Sequence, residues 1–285
     1  MSKEKFKIPF TKMHGLGNDY IYINCFSGLD IKSPESLSRL LSDRHTGIGG
    51  DGIVLILPSS IADAKMRMFN IDGSEGNMCG NAIRCVGKYL FDNGIAKKRV
   101  IKIETKSGVK QLELFVENDK VNLVKVDMGQ AELEPKKIPT TLSGKNIINK
   151  KIRLAGNEYA ITCVSMGNPH AVIFVDSVEK FDVAGIGRKI ETDTIFPERV
   201  NTEFIEILCR NHLKMRVWER GSGETQACGT GACAAAVAAV LNGYCDKNAD
   251  IVVQLPGGDL TIKYTDSTVY MTGTAVKVFD GMVEV

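Results

Sequence analysis

Two cysteine–glycine pairs carry the most chemistry in this chain, Cys79-Gly80-Asn81 and Cys228-Gly229-Thr230. Each opens a segment with a helical pattern. A thiol at a helix N-terminus faces unpartnered backbone N–H groups and the positive end of the macrodipole. There its pKa can fall from about 8.5 to roughly 3.5–7.5, so a thiolate near neutral pH is expected at both positions. The glycine after each cysteine lets a ligand approach the backbone, and Gly229-Thr230-Gly231 is small enough to offer several N–H donors to a carboxylate. A metal centre is not expected: the chain has no CxxC pair and no histidine at zinc-finger spacing. Nor do 8 cysteines in 285 residues make a disulfide scaffold. Cys85 and Cys233, inside the helical segments, read as packing residues.

The two pairs are related by an internal repeat. "MRMFN" begins at Met66 and "MRVWE" at Met215, an offset of 149, and Cys79 and Cys228 stand at the same offset. Both helical segments stop at Asn-Gly, at Asn93-Gly94 and Asn242-Gly243. Gly17-Asn18 and Gly167-Asn168 precede the alternating apolar runs "YIYIN" and "AVIFV". The chain is therefore a tandem duplication. Two facing halves would set one thiol on each side of a shared cleft, which is what inversion at a carbon requires: a thiolate removes the α-proton from one face and a thiol delivers one to the other. A cysteine protease would need one cysteine and a histidine base instead.

Strand signals in the first half include Ile53–Leu57, Met66–Phe69, Val100–Thr105, Leu112–Val116 and Val121–Val126, and in the second half Phe204–Leu208, Lys214–Trp218, Ile251–Gln254 and Thr261–Tyr264. The expected class is α+β: two pseudo-symmetric domains, each a curved, largely antiparallel sheet or barrel around one central helix. The Pro- and Gly-containing stretch 130–151 contains the join.

Polar residues cluster at the strand ends. Asn18, Asn70, Asn168 and Asn201 lie beside the repeat motifs. Asn70 and Glu219 share one repeat position, and Arg220 follows as a natural bidentate partner for a substrate carboxylate. His170, in "GNPH", stands where it could orient or tune a thiol. "GIGGDG" at 47–52 matches a dinucleotide string, but a strand follows it and none precedes it, so it reads as a glycine-rich turn.

A net charge of +2 leaves no electrostatic case for binding nucleic acid, and Lys97-Lys98-Arg99 reads as a solvated loop. The opening "MSKEKFKIPF" lacks the apolar core of a signal peptide. The longest apolar run, 232–241, is about half a membrane span. A cytoplasmic location is expected.

"KMHGLGNDY", "FNIDGSEGNMCGN", "SMGNPHAVIFVD", "FPERVN" and "WERGSGETQACGTGAC" together resemble the diaminopimelate epimerase family, over essentially the whole chain. The resemblance implies a cofactor-independent epimerase that interconverts LL- and meso-2,6-diaminopimelate in lysine and peptidoglycan biosynthesis, usually as a homodimer, with its site between two domains. It implies Cys79 and Cys228 as the two catalytic bases and His170 and Glu219 as groups that tune them. Substrate contacts would come from the side chains of Asn18, Asn70, Asn168, Asn201, Glu219 and Arg220. Gly80, Asn81, Gly229 and Thr230 would act largely through backbone N–H. Domain boundaries are expected at 1–128, joined by a tail 273–285, and at 129–272; the return of the tail comes from the resemblance, not from the repeat. A proline racemase-like enzyme shares the two Cys-Gly helix starts, but "MHGLGND", Asn81 and the Glu219-Arg220 pair favour diaminopimelate. Gly52 and Ala82 depart from residues found in some members, Gln and Gly respectively.

Overall fold

The computed structural model describes residues 7–154 and 156–285, so the first lysines of the N-terminal reading lie outside the described residues. The chain divides into two compact units, one running to Val126 and including Gly273–Val285, the other Asp127–Thr272. In chain order the first unit contains β1 (Lys7–Gly15), β2 (Asn18–Asn24), α1 (Pro34–Ser42), β3 (Gly52–Leu57), β4 (Ala64–Asn70), β5 (Glu75–Gly76), α2 (Gly80–Asp92), β6 (Val100–Thr105), β7 (Gly108–Glu117) and β8 (Lys120–Gly129), whose last residues cross the boundary. The second contains β9 (Lys150–Leu154), β10 (Asn157–Ser165), β11 (Pro169–Phe174), α3 (Val183–Glu191), β12 (Asn201–Cys209), β13 (His212–Glu219), β14 (Gly223–Glu224), α4 (Gly229–Leu241), β15 (Asp250–Leu255), β16 (Gly258–Tyr264) and β17 (Val269–Thr274), whose last two residues fall in the first unit. A final strand, β18 (Val276–Glu284), belongs to the first unit, where it pairs antiparallel with β1.

The two units have the same wiring. In the first, β1–β2, β3–β4, β6–β7 and β7–β8 pair antiparallel, while β2–β3 and β4–β6 are parallel. In the second, β10–β11, β12–β13, β15–β16 and β16–β17 are antiparallel, and β11–β12 and β13–β15 parallel. The first strand of each unit has an extra antiparallel neighbour, β18 beside β1 and β9 beside β10.

Strand β2 shows why these sequences fold this way. Its side chains alternate across the sheet. Ile21 and Ile23 face α1 in a core with Leu37, Leu41, Ile53, Leu55 and Phe69. Tyr22, one residue out of phase, is fully buried and its hydroxyl donates to the Ala82 carbonyl of α2 at 3.4 Å. With both faces covered, the strand reads as a nearly continuous apolar run. Helix α2 packs on β1, β2, β6 and β7, so the sheet curves around it. Its equivalent α4 is "GTGACAAAVAAVL", small or apolar on every side, as a helix enclosed by its own sheet must be.

Both central helices end as the Asn-Gly signal requires. Gly94 and Gly243 take φ of +76° and +78°, and Asn93 and Asn242 turn their amides back to the Tyr89 and Ala238 carbonyls at 2.9 and 2.8 Å. The expectation of one helix per half is incomplete. α1 and α3 cover the opposite sheet faces, again 149 residues apart. α3 contains two glycines, which lower its helical propensity. One of them, Gly187, is required by packing: a Cβ there would lie 2.5 Å from Trp218 Cβ.

Candidate active site

In the first unit the site is built on the α2 N-terminus. Cys79 is the N-cap, extended at φ −132° and ψ 122°, and its sulfur accepts the Ala82 N–H at 3.5 Å. The thiol is half-buried and donates to Asn18 Oδ1 at 3.4 Å. Asn18 cannot present the other end of its amide, because its Nδ2 donates to Asp51 Oδ2 at 2.7 Å. Asp51 is itself held by Arg44 at 3.0 Å and by the Asp19 N–H at 3.0 Å. Asp19 takes a second Arg44 contact and the largely buried Lys12 ammonium at 2.5 Å. These cations, with the Arg44 hydrogen bond foremost, hold Asp19 below the usual carboxylate range despite the opposing effect of burial. Gly80 and Asn81 occupy the first turn of α2 and are buried. Asn70 ends β4 and closes the following turn onto Ser74, with a 3.0 Å bond to its hydroxyl.

Gly52 is required by the sheet here. A Cβ at that position would lie 1.9 Å from the Phe69 carbonyl oxygen on the adjacent strand β4. Cys85, six residues into the helix, is completely buried, and burial pushes its thiol up to about 11. It is a packing residue, as its position suggested.

The second unit repeats the cap with a different surround. Cys228, only 5% exposed, is the N-cap of α4, and its sulfur accepts the Gly231 N–H at 3.3 Å. The N–H groups of Gly229 and Thr230 precede the first intrahelical bond and so point out of the helix end. The Thr230 hydroxyl is 3.5 Å from the sulfur and accepts from Asn168 Nδ2 at 3.3 Å. Asn168 Oδ1 lies 3.0 Å from His170 Nε2, and His170 Nδ1 lies 2.6 Å from Glu203 Oε1. His170 and Glu203 are both fully buried. Asn201 bridges the Pro169 carbonyl at 2.8 Å and the Arg220 N–H at 2.9 Å, while the Arg220 guanidinium reaches the Glu198 carbonyl. Glu219 accepts from the Thr225 hydroxyl and from the Cys228 thiol, and its carboxyl is raised above its ordinary value by burial.

One expectation fails at this site. The helix terminus was to lower the Cys228 pKa, yet the thiol is pushed well above its ordinary value. Burial is the largest cause, followed by the carboxylates of Glu219 and Glu203; the hydrogen bonds from Thr230 and Gly231 oppose them without prevailing. A partial charge at a helix end is worth about 0.3–1 kcal/mol, less than the cost of ionising a thiol away from water.

The diaminopimelate epimerase family model matches residues 10–134 and 162–278, most of the chain and both helix starts. The chain belongs to the diaminopimelate epimerase family. Among its relatives, the diaminopimelate epimerase of Acetivibrio thermocellus is 56% identical over 277 residues, covering 96% of this chain and 98% of that protein. That of Methanococcus maripaludis is 53% identical over 280 residues, covering 98% and 100%. The fold is shared more widely. A PhzF-family phenazine biosynthesis protein of Bacillus anthracis superposes with a TM-score of 0.70 at 18% identity, covering 98% of this chain and all of that one. A hydroxyproline epimerase of Agrobacterium vitis does so at 0.68 and 14%, covering 98% and 93%.

Sequence reasoning named the polar residues around both helix starts but missed three that hold them: Asp51, Glu203 and Thr225. Asp51 and Glu203 sit in "GGDGI" and "NTEFIE", where an acid in a turn or an alternating strand reads as solvated. Their buried or bridging partners lie about 33 residues away in the chain, at Asn18 and His170. Among the described residues no His, Cys, Asp and Glu group could hold a metal ion, and no helix is long and apolar enough to cross a membrane.

Proposed function

We propose that this member of the diaminopimelate epimerase family inverts the α-carbon of diaminopimelate with two protein thiols, Cys79 and Cys228, and no cofactor. The overall reaction interconverts the LL and meso isomers in lysine biosynthesis. The observation that carries the two-thiol reading is the duplicated cap: each unit presents one cysteine sulfur to the N–H of the third helical residue, at Ala82 and at Gly231. Two groups of one kind suit a reaction that inverts one carbon and runs in both directions.

In one direction a thiolate at Cys79 takes the α-proton, forming S–H, and the Cys228 thiol gives its proton to the opposite face. Cys228 suits the acid role at rest, because its surroundings keep it protonated. In the reverse direction Cys228 must first lose that proton. Glu219, hydrogen-bonded to it and raised by burial, is a matched acceptor. Each turnover leaves the two sulfurs with exchanged protonation states, so the enzyme must reset before the next substrate of the same hand.

Carbanion charge moves into the substrate's own carboxylate. The first-turn N–H groups of Gly80, Asn81, Gly229 and Thr230 are the donors we assign to it; one donor of this kind is typically worth ~2.7–4 kcal/mol. Asn18, Asn70, Asn168, Asn201, Glu219 and Arg220 are assigned to substrate positioning, with Arg220 for the distal carboxylate. Cys79→Ala and Cys228→Ala should each lower kcat by about 10²–10⁴-fold. Wild-type turnover in D₂O should place deuterium at Cα of the product, for diaminopimelate and not for L-proline. Full activity in either alanine variant, or protium retained in the product, would overturn the two-thiol reading.

We also propose a homodimer in the cytoplasm. Val276, Val278, Phe279 and Met282 leave 40–62% of their surface exposed along β18, which supports a self-association surface. Sedimentation that stayed monomeric at micromolar concentration would count against it.

A further inference from the structure

Glu203 is assigned no part in the reaction above, yet it is a fully buried acid. Its Oε1 meets His170 Nδ1 at 2.6 Å, and its Oε2 is buried without a hydrogen-bond partner among the described residues. Burying a carboxyl this way is costly unless the group is paired. A second observation ties it to the helix start. A Cβ on Gly231 would lie 2.7 Å from Glu203 Oε1, so the carboxyl reaches the first turn of α4 only because residue 231 has no side chain.

The hydrogen bonds between Glu203 and the sulfur have one consistent direction. Asn168 Nδ2 donates to Thr230, so Asn168 Oδ1 must accept, and His170 Nε2 must carry a proton. One further proton then lies between His170 Nδ1 and Glu203 Oε1, and the pair is neutral overall whichever atom holds it. Thr230 Oγ1, already accepting from Asn168, keeps its own proton for the sulfur 3.5 Å away. From His170 Nε2 onward, each link donates toward Cys228.

We propose that Glu203 is a positioning residue for the Cys228 thiol, acting through His170 and the Asn168 amide to aim the Thr230 hydroxyl proton at the sulfur. The proposal rests on the reading that Cys228 reacts. With Glu203 gone, His170 is free to carry its proton on Nδ1. The Asn168 amide then turns over to donate to Nε2, and Thr230 donates to Asn168 Oδ1 instead of to the sulfur. The thiolate, already disfavoured by burial, loses a donor.

The test compares Glu203→Val with Glu203→Gln in ¹⁵N-histidine-labelled enzyme, the His170 ring signals being identified by their loss in His170→Asn. Valine is the residue at the equivalent first-unit position, Val54. In Glu203→Val the ring should shift toward the Nδ1-protonated form, and kcat should fall about 10- to 100-fold with KM within about twofold. That range is the usual cost of removing a carboxylate that orients a metal-bound histidine. In Glu203→Gln the carboxamide donates to Nδ1 and preserves the Nε2–H form. The ring should then stay in that form with Nδ1 accepting, and kcat should be about tenfold above the valine variant. Ring signals in Glu203→Val unchanged from wild type overturn the Glu203–His170 link, and changed signals with kcat within about twofold of wild type overturn its route to the sulfur. Should the valine variant fail to fold, Glu203→Leu, equally unable to pair with Nδ1, takes its place and is read the same way. Because the ring signals do not depend on turnover, they separate this proposal from the role of Cys228, which Cys228→Ala tests.

Discussion

The two helix starts share a backbone and differ in almost everything around the sulfur. At Cys79 the thiol is half-buried and donates to an asparagine that is anchored, through Asp51, to a partly exposed cluster of Lys12, Asp19 and Arg44. At Cys228 the thiol is buried near the carboxyl groups of Glu219 and Glu203, the second of which is paired with the buried His170. The repeat makes the substitutions explicit: Tyr20 stands opposite His170, Val54 opposite Glu203, Asn70 opposite Glu219 and Ala82 opposite Gly231. Duplication supplied two equivalent caps, and changes one shell away made them unequal. The Ala82–Gly231 difference follows from the Val54–Glu203 one, since only the second unit has a carboxyl where a methyl group would go.

That last inference can be broken directly. Gly231→Ala should destabilise the protein by about 1–3 kcal/mol, the usual cost of overpacking, as read by urea denaturation. Combined with Glu203→Val, which recreates the first unit's pairing of Ala82 with Val54, most of that loss should disappear. Additive losses in the double mutant would show that the two positions are independent.

Alkylation sharpens the contrast between the sulfurs. In ligand-free enzyme at neutral pH, iodoacetamide should modify Cys79 about tenfold faster than Cys228, because Cys228 is both enclosed and held as the thiol. Peptide mass mapping reads the order, with exposed Cys209 as the reference and Cys163, which burial pushes up to about 12, as the unreactive limit. Equal rates would remove the asymmetry.

The acid beside Cys228 gives a smaller, pH-dependent effect. Burial raises the Glu219 carboxyl in the folded chain, so above its ordinary value the native state still holds a proton that the unfolded chain has lost. Stability is then greatest below the ordinary carboxyl range and falls as pH rises through the raised value. Glu219→Gln should flatten that slope in melts taken from the ordinary carboxyl range upward, whereas Asn70→Ala in the first unit should leave it unchanged.

The weakest test concerns what the units still share. Arg67–Glu75 and Arg216–Glu224 are the same ion pair at the 149-residue offset, with closest contacts of 2.7 and 2.6 Å. Glu75→Ala and Glu224→Ala should each cost about 0.2–1 kcal/mol. Glu224→Ala should cost no less than Glu75→Ala, because Arg216 also donates to the Val178 and Phe181 carbonyls and must keep its orientation.

Much of this was legible in the sequence because the repeat fixes register over long distances. The Cys-Gly caps, the Asn-Gly stops and the strands between them follow from local pattern and recur at one offset. α1 and α3 did not stand out, since each is only nine residues long and α3 carries Gly185 and Gly187. Glu203 was hidden because its alternation in β12 is that of an ordinary strand residue, and its partner comes from β11. The raised Cys228 pKa was hidden for the same reason. Helix position is a local signal, whereas the carboxylates that outweigh it arrive from β12 and β13.

Strand β18 sets a constraint on synthesis. It hydrogen-bonds along β1 from Lys7–Glu284 to His14–Val276, so β1 leaves the ribosome long before the strand that completes it, with the whole second unit translated in between. Until then one edge of β1 has no neighbour, and an open edge is a template for wrong pairing. The second unit, Asp127–Thr272, needs no such wait. Translation order and completion order are therefore reversed: the unit made first is finished last, and a nascent chain stalled short of residue 276 would expose the older half rather than the newer one.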